Sequence, residues 1–111
     1  MTPADLVQRQ LDAYNAHDLD AFVACFAADV RIHRMPDLQP ALTGRDALRA
    51  YYDEHRFRIP GLRAELRGRI TLGTLVIDHE WVHGLGETPM EVAAIYRVTG
   101  ETISDVHFFY P

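Results

Sequence analysis

The chain has 111 residues, of which 48% are hydrophobic, and a formal net charge of −5. This length fits one domain, and no linker or low-complexity segment divides residues 1–111. We expect neither nucleic acid nor a membrane as a partner, because both are bound through clustered positive charge. A single cysteine, Cys25, excludes an internal disulfide, and the first residues carry no secretory signal, so we expect a cytoplasmic protein.

Several residue types that common mechanisms need are missing. The chain has no lysine for Schiff-base chemistry, and its one serine, Ser104, lies outside any Gly-x-Ser-x-Gly turn. The glycines form no nucleotide-binding fingerprint, so we expect no cofactor. The six histidines show neither of the usual ligand spacings for a helix or a strand, so we expect no metal.

The first half of the sequence predicts helices around one strand. Thr2 before Pro3 is typical of a helix start, and Asp18 is typical of a second helix cap. Alternating apolar and polar residues before Pro36 indicate a strand. The predicted elements are helices over about 3–15, 18–29 and 43–55 and a strand over 30–35.

The second half has the pattern of a strand meander. Alternating residues and glycine-containing turns predict strands over 62–72, 74–83, 90–98 and 102–110. Three N-terminal helices followed by such strands are typical of an α+β fold, with the helices on one face of a curved antiparallel sheet. This cone-shaped arrangement would enclose a pocket.

The sequence resembles a known superfamily over nearly its whole length. The segments VQRQLDAYNAHDLDAFVACFAADVRI, GRDALRAYY, VAAIYRV and TISDVHFFYP are similar to those of nuclear transport factor 2-like proteins, in particular SnoaL-like and ketosteroid-isomerase-like proteins. The resemblance implies the cone fold, a cystatin-like roll, with its pocket. Function does not follow directly, because this fold supports isomerases, cyclases, dehydratases, epoxide hydrolases and noncatalytic adaptors.

The resemblance also allows a comparison of site residues. Ketosteroid isomerases use a tyrosine, a catalytic aspartate and a second aspartate. The positions that align with these are, in the same order, Gln10, Arg34 and Tyr96, so we do not expect ketosteroid isomerase activity. SnoaL-like cyclases use an aspartate and a histidine inside the cone, and Asp105 and His107 are the corresponding residues here.

Strand parity assigns side chains to the two sheet faces. With the isomerase alignment, the predicted inward sets are Val76, Asp78, Glu80 and Val82, and Ile103, Asp105, His107 and Phe109. Arg34 would face the cavity while His33 points away. The predicted outer face carries Ile77, Trp81, Ile95 and Phe108, and this apolar face indicates a homodimer.

These residues support one leading hypothesis and two alternatives. The leading hypothesis is an isomerase, cyclase or dehydratase that moves a proton on a small apolar carbonyl compound. The predicted roles are His107 as acid and base, Asp105 or Glu80 as its partner, Arg34 and Tyr96 as anion stabilisers, and Tyr14, Tyr52, Asp78 and Gln10 as ligand contacts. The alternatives are a noncatalytic ligand-binding or dimerisation module and, less favoured, a transport-type adaptor.

An arginine-rich stretch has two interpretations. Arg56, Arg58, Arg63, Arg67 and Arg69 could attract an anionic substrate to the pocket opening, or they could form a solvated face. We favour the solvated face.

Overall fold

The computed structural model describes residues 1–111 as helices packed on one six-stranded sheet. The strand order is β2-β1-β6-β5-β4-β3, and β1 runs parallel to β6 while every other pair is antiparallel. The sheet is therefore mixed where the sequence predicted an antiparallel one. The elements are α1 (Pro3–Asn15), α2 (Leu19–Val23), β1 (Phe26–Arg34), β2 (Leu42–Thr43), α3 (Arg45–His55), β3 (Arg63–Leu72), β4 (Leu75–His83), β5 (Met90–Thr99) and β6 (Thr102–Phe109).

The caps predicted for the first two helices are present. The Thr2 side chain accepts a hydrogen bond from the Asp5 amide, and Asp5 accepts one from the Thr2 amide, which forms a capping box. Asp18 caps α2 by accepting a hydrogen bond from the Ala21 amide. The second helix ends at Val23, earlier than predicted, because β1 already begins at Phe26 to pair with Ile103.

The core lies between the concave face of the sheet and the helices. Phe22 from α2, Leu48 from α3 and Val76 from β4 are at most 1% exposed. The rings of Phe22 and Tyr52 lie 4.8 Å apart, which ties α2 to α3 above the sheet. The helices therefore pack on the inner face of the sheet, and a cavity remains between them and the strands.

One backbone contact closes the turn after β4. Gly84 has a φ of +99°, and a Cβ atom placed there would lie 2.7 Å from the backbone of Gly61. Only glycine permits this approach between the two turns. No helix of the chain is both long and apolar enough to cross a membrane.

Candidate active site

A cavity lies between the concave face of the sheet and the helices. Its volume is about 60 Å³, and twelve of its sixteen lining residues are hydrophobic. A single water occupies roughly 10–15 Å³ on the same measure, so the enclosed part admits only a small group. A mostly apolar cavity with a few polar side chains is the usual form of a small-molecule site.

Glu80 is the acidic residue that lines this cavity. It lies on β4 between Asp78 and Val82, is 5% exposed, and forms no hydrogen bond or ion pair with another side chain. Burial raises the pKa of Glu80 to about 7, helped by the negative charge of Asp78 and opposed by Arg69. A carboxyl group with this pKa exchanges protons readily at neutral pH, as a general acid or base must.

The neighbouring acid, Asp78, is fully buried and paired. The Arg69 guanidinium donates to both carboxylate oxygens, with Nε to Oδ1 at 2.7 Å and Nη2 to Oδ2 at 2.9 Å. Arg69 Nη1 also donates to Gln8 Oε1 on α1 at 2.9 Å. The bidentate pair holds the Asp78 carboxylate two residues from Glu80 and joins β3 to β4, and the bond to Gln8 joins both strands to α1.

Four tyrosines line the cavity, and three of them, Tyr14, Tyr52 and Tyr96, differ in their partners. The Tyr96 hydroxyl donates to Gln10 Oε1 at 3.4 Å, a weak bond between two buried side chains. The hydroxyls of Tyr14 and Tyr52 have no such partner, and burial raises the pKa of both above the ordinary value. Both hydroxyls therefore stay protonated at neutral pH and can donate a hydrogen bond to a ligand oxygen.

The cavity opens beside two arginines. Arg34, Arg56 and Tyr110 line it while remaining partly exposed, and we call these three residues the cavity mouth. The Cζ atom of Arg34 lies 4.9 Å from the ring centroid of Tyr51, and that of Arg56 lies 5.2 Å from the same centroid. The ring therefore holds both guanidinium groups near the opening.

Comparison with known proteins agrees with this architecture. The family described as SnoaL-like domain matches residues 7–106, which is most of the chain. The chain belongs to the SnoaL-like domain family. None of the curated proteins matches it.

Solved structures with the same SnoaL-like fold are distant in sequence. An uncharacterised cystatin-fold protein from Novosphingobium aromaticivorans is 23% identical, with a TM-score of 0.85 and 97% of each chain covered. A "putative ketosteroid isomerase" from Kribbella flavida is 21% identical, with a TM-score of 0.85 and coverage of 98% of this chain and 77% of that one. A SnoaL-like protein of unknown function from Burkholderia thailandensis is 20% identical, with a TM-score of 0.82 and coverage of 98% and 93%. At these identities the similarity shows the fold alone.

The SnoaL-like cone brings together most of the residues that the sequence indicated. Six of them line the cavity, namely Gln10, Tyr14, Arg34, Tyr52, Glu80 and Tyr96. Asp78 is also on the inner face, where it pairs with Arg69 beyond the cavity lining. The inward set predicted for β4 is confirmed, because Val76, Asp78, Glu80 and Val82 are all buried.

The inward set predicted for β6 is wrong beyond Ile103. In the register between β5 and β6, Arg97 lies opposite Asp105 and Val98 lies opposite Ile103. The strand β6 therefore has one extra residue, Ser104, at this point. Such a bulge shifts the alternation of the strand by one residue. Asp105 and His107 therefore lie on the outer face, and Phe109 is 42% exposed. Phe108, predicted on the outer face, lines the cavity instead.

Asp105 and His107 belong to a separate cluster on the outer face. Arg31 Nε donates to Asp105 Oδ1 at 3.0 Å, and the rings of His33 and His107 stack with centroids 4.1 Å apart. His33 Nε2 lies 3.5 Å from Asp105 Oδ1, but the orientation does not make a hydrogen bond. The expectation that His33 points away from Arg34 is confirmed. Burial lowers the pKa of His107, and neighbouring His33 lowers it further.

The solvated face that we favoured for the arginine-rich stretch is wrong for two of its five residues. Arg56 and Arg69 were expected on a solvated face, yet Arg56 is at the mouth and Arg69 is paired with Asp78 inside the cone. The solvated face does describe Arg58, Arg63 and Arg67, whose side chains are exposed. The apolar residues Val106 and Phe108 were a signal for the true register of β6, since they alternate with polar neighbours.

Proposed function

We propose that this SnoaL-like protein binds a small, mostly apolar carbonyl compound and transfers a proton on it, with Glu80 as acid and base. The observation that carries the proposal is the buried Glu80 carboxyl group, which faces an apolar cavity without a protein partner and has a pKa of about 7. Charged side chains are rarely buried without a partner, and such perturbed groups are concentrated at functional sites. Glu80 thus replaces His107 in the role that the sequence suggested.

The cavity supplies the parts that an enolisation needs. The Glu80 carboxylate would take a proton from the carbon next to the carbonyl, and the electron pair of that C–H bond would move to the carbonyl oxygen to give an enolate. A hydroxyl of Tyr14 or Tyr52 would donate a hydrogen bond to this oxygen. Protonated Glu80 would then return the proton to the same carbon, which gives exchange, or, in a compound with a carbon–carbon double bond beside that carbon, to the far end of the conjugated dienolate, which shifts the double bond and completes an isomerisation.

Solvent-hydrogen exchange tests this proposal without knowledge of the natural substrate. Small ketones and aldehydes would be incubated with the protein in deuterium oxide, and loss of the α-proton signal would be followed by NMR. We expect Glu80→Gln to slow the exchange by about 10²–10⁴-fold, the usual contribution of a general base. His107→Ala is the matched control and should leave the rate unchanged, because His107 lies on the outer face. Equal exchange rates for Glu80→Gln and the unmodified protein would refute the proposal.

A noncatalytic binding module of the same fold is the second candidate. The observation that favours it is the small cavity volume of about 60 Å³, with Tyr14, Phe22 and Tyr52 packed together along one wall. If this candidate is correct, NMR titration should show binding of carbonyl compounds, and the protein should catalyse no hydrogen exchange on any of them.

We further propose that the outer face of the sheet forms a homodimer. Ile77, Trp81 and Ile95 lie half-buried on this face, with exposed Phe109 next to them on β6. The polar pair of His79 and Glu91 lies on the same face, but apolar side chains on an open sheet face are usually covered in solution. Sedimentation velocity should show a dimer for the unmodified protein and a monomer for Ile95→Glu. A monomer in both cases would exclude the dimer.

Two broader expectations are also proposals. Residues 1–111 form one domain, so thermal unfolding should show one cooperative transition by both circular dichroism and tryptophan fluorescence. The location is cytoplasmic, which fractionation of expressing cells would test.

A further inference from the structure

The cavity mouth carries positive charge that the protein itself does not neutralise. Six of the eleven arginines have a carboxylate within 4.0 Å, but Arg34 and Arg56 do not. The side chain of Arg56 donates one hydrogen bond, from Nη1 to the His55 carbonyl oxygen at 2.9 Å. Arg34 also interacts with the hydroxyls of Tyr51 and Tyr110, which do not neutralise its charge. In a chain with a net charge of −5, two such guanidinium groups at one opening leave most of their donors free for an anion.

The backbone places these two arginines together from distant parts of the sequence. Arg34 is the last residue of β1, and Arg56 follows the last residue of α3. Both lie against Tyr51, so their Cζ atoms are no farther apart than the sum of the two ring distances, 4.9 and 5.2 Å, or about 10 Å. Two guanidinium groups at this spacing can both reach one carboxylate, each through charge-assisted hydrogen bonds.

The two ends of the site differ in polarity. The interior is apolar, and its acid is Glu80, whereas the mouth is cationic and partly exposed. A wholly neutral ligand would leave the arginine donors in water, and a ligand charged at its inner end would meet the Glu80 carboxylate. The complementary ligand is therefore an amphipathic anion with its charge at the outer end.

We propose that the cavity accepts a small apolar carboxylic acid, whose carboxylate is held by Arg34 and Arg56 while its apolar body extends toward Glu80. The inference rests on the proposed function for its site and adds the chemical class of the ligand. Arg34 and Arg56 then determine specificity, and the carbonyl on which Glu80 acts belongs to the apolar body. Glu80 takes no part in holding the carboxylate.

Matched acids and amides test the charge preference directly. Pentanoate, cyclohexanecarboxylate and benzoate would each be compared with its primary amide, which has nearly the same shape and no charge, by NMR titration of the ¹⁵N-labelled protein. We expect at least one acid to bind about tenfold or more tightly than its amide. The preference should weaken as salt is added, because the mouth is partly exposed. Equal affinities within every pair, or no binding of any acid at millimolar concentration, would overturn the inference.

Three variants separate this inference from the proposed proton transfer. Arg34→Gln and Arg56→Gln should each remove most of the preference for the acid. Arg58→Gln is the matched control, because Arg58 is exposed, pairs with Asp53 and does not line the cavity. Glu80→Gln should keep the preference while it loses proton exchange. If the preference survives both mouth variants, the inference is wrong even where Glu80-dependent exchange is found.

Discussion

The raised pKa of Glu80 has a direct consequence for folding stability. In the unfolded chain Glu80 has its ordinary pKa of 4.5, and in the folded protein the pKa is about 7. The folded state therefore holds the proton more tightly, so its stability is greatest below pH 4.5 and falls as the pH rises toward 7. Each pKa unit corresponds to about 1.4 kcal/mol, so the ionised carboxyl group lowers the free energy of unfolding by about 3 kcal/mol above pH 7.

The variant Glu80→Gln keeps the shape of the side chain and removes this ionisation. We expect it to be more stable than the unmodified protein by about 3 kcal/mol at pH 8, and by about 1 kcal/mol at pH 5, where most of the folded protein holds Glu80 protonated. For a chain of this length the larger difference corresponds to an increase in Tm on the order of 10 °C.

Differential scanning calorimetry of both proteins between pH 5 and pH 8 measures this difference. Glu87→Gln serves as the matched control, because Glu87 is exposed in the loop before β5, and its Tm should follow that of the unmodified protein. A Tm difference for Glu80→Gln that stays constant with pH would refute the assignment of a raised pKa. A Glu80→Gln variant less stable than the unmodified protein at pH 8 would refute it as well, since the carboxylate would then be stabilised by a partner.

Two other predictions concern the ion pairs and the histidine stack. Arg69→Gln should lower the free energy of unfolding in urea by about 3–5 kcal/mol, because it leaves the buried Asp78 carboxylate unpaired, and adding Asp78→Asn should recover much of this loss. The control Arg67→Gln removes an exposed ion pair and should lower it by less than about 1 kcal/mol. Equal losses for the two arginine variants would contradict the argument. The pKa of His107 is lower in the folded protein than its ordinary value of 6.5, so the unfolded chain binds the proton more tightly. The free energy of unfolding therefore decreases as the pH falls below 6.5. Between pH 7 and pH 5 the Tm of His107→Gln should therefore fall less than the Tm of the unmodified protein, and an equal fall in both proteins would contradict the argument.

The sequence predicted those parts of the fold that depend on local chemistry. The capping box at Thr2 and the cap at Asp18 are interactions between residues three positions apart, so they can be identified without tertiary structure. The alternation in β4 was equally informative, because this strand has no irregularity in its pairing with β5. Glu80 was therefore placed correctly on the inner face.

The missed features depend on contacts between distant residues. The bulge at Ser104 in β6 arises from its pairing with β5, and the only local sign of the shifted register is that apolar Val106 and Phe108 flank polar His107. It moves His107 out of the cone and Phe108 into it. Arg56 was assigned to the solvated face and not to the pocket opening for a related reason, since its place at the cavity mouth follows from the packing of α3 beside β1 and not from its charged neighbours in the sequence.

The central claim is that a glutamate facing the cone titrates near neutral pH. The most direct test is a ¹³C NMR titration of the side-chain carboxyl group of Glu80, assigned by its disappearance in Glu80→Gln. We predict a midpoint of about 7. A midpoint near the ordinary value of 4.5 would contradict the account, because the carboxyl group would then be fully ionised at neutral pH and a weak base.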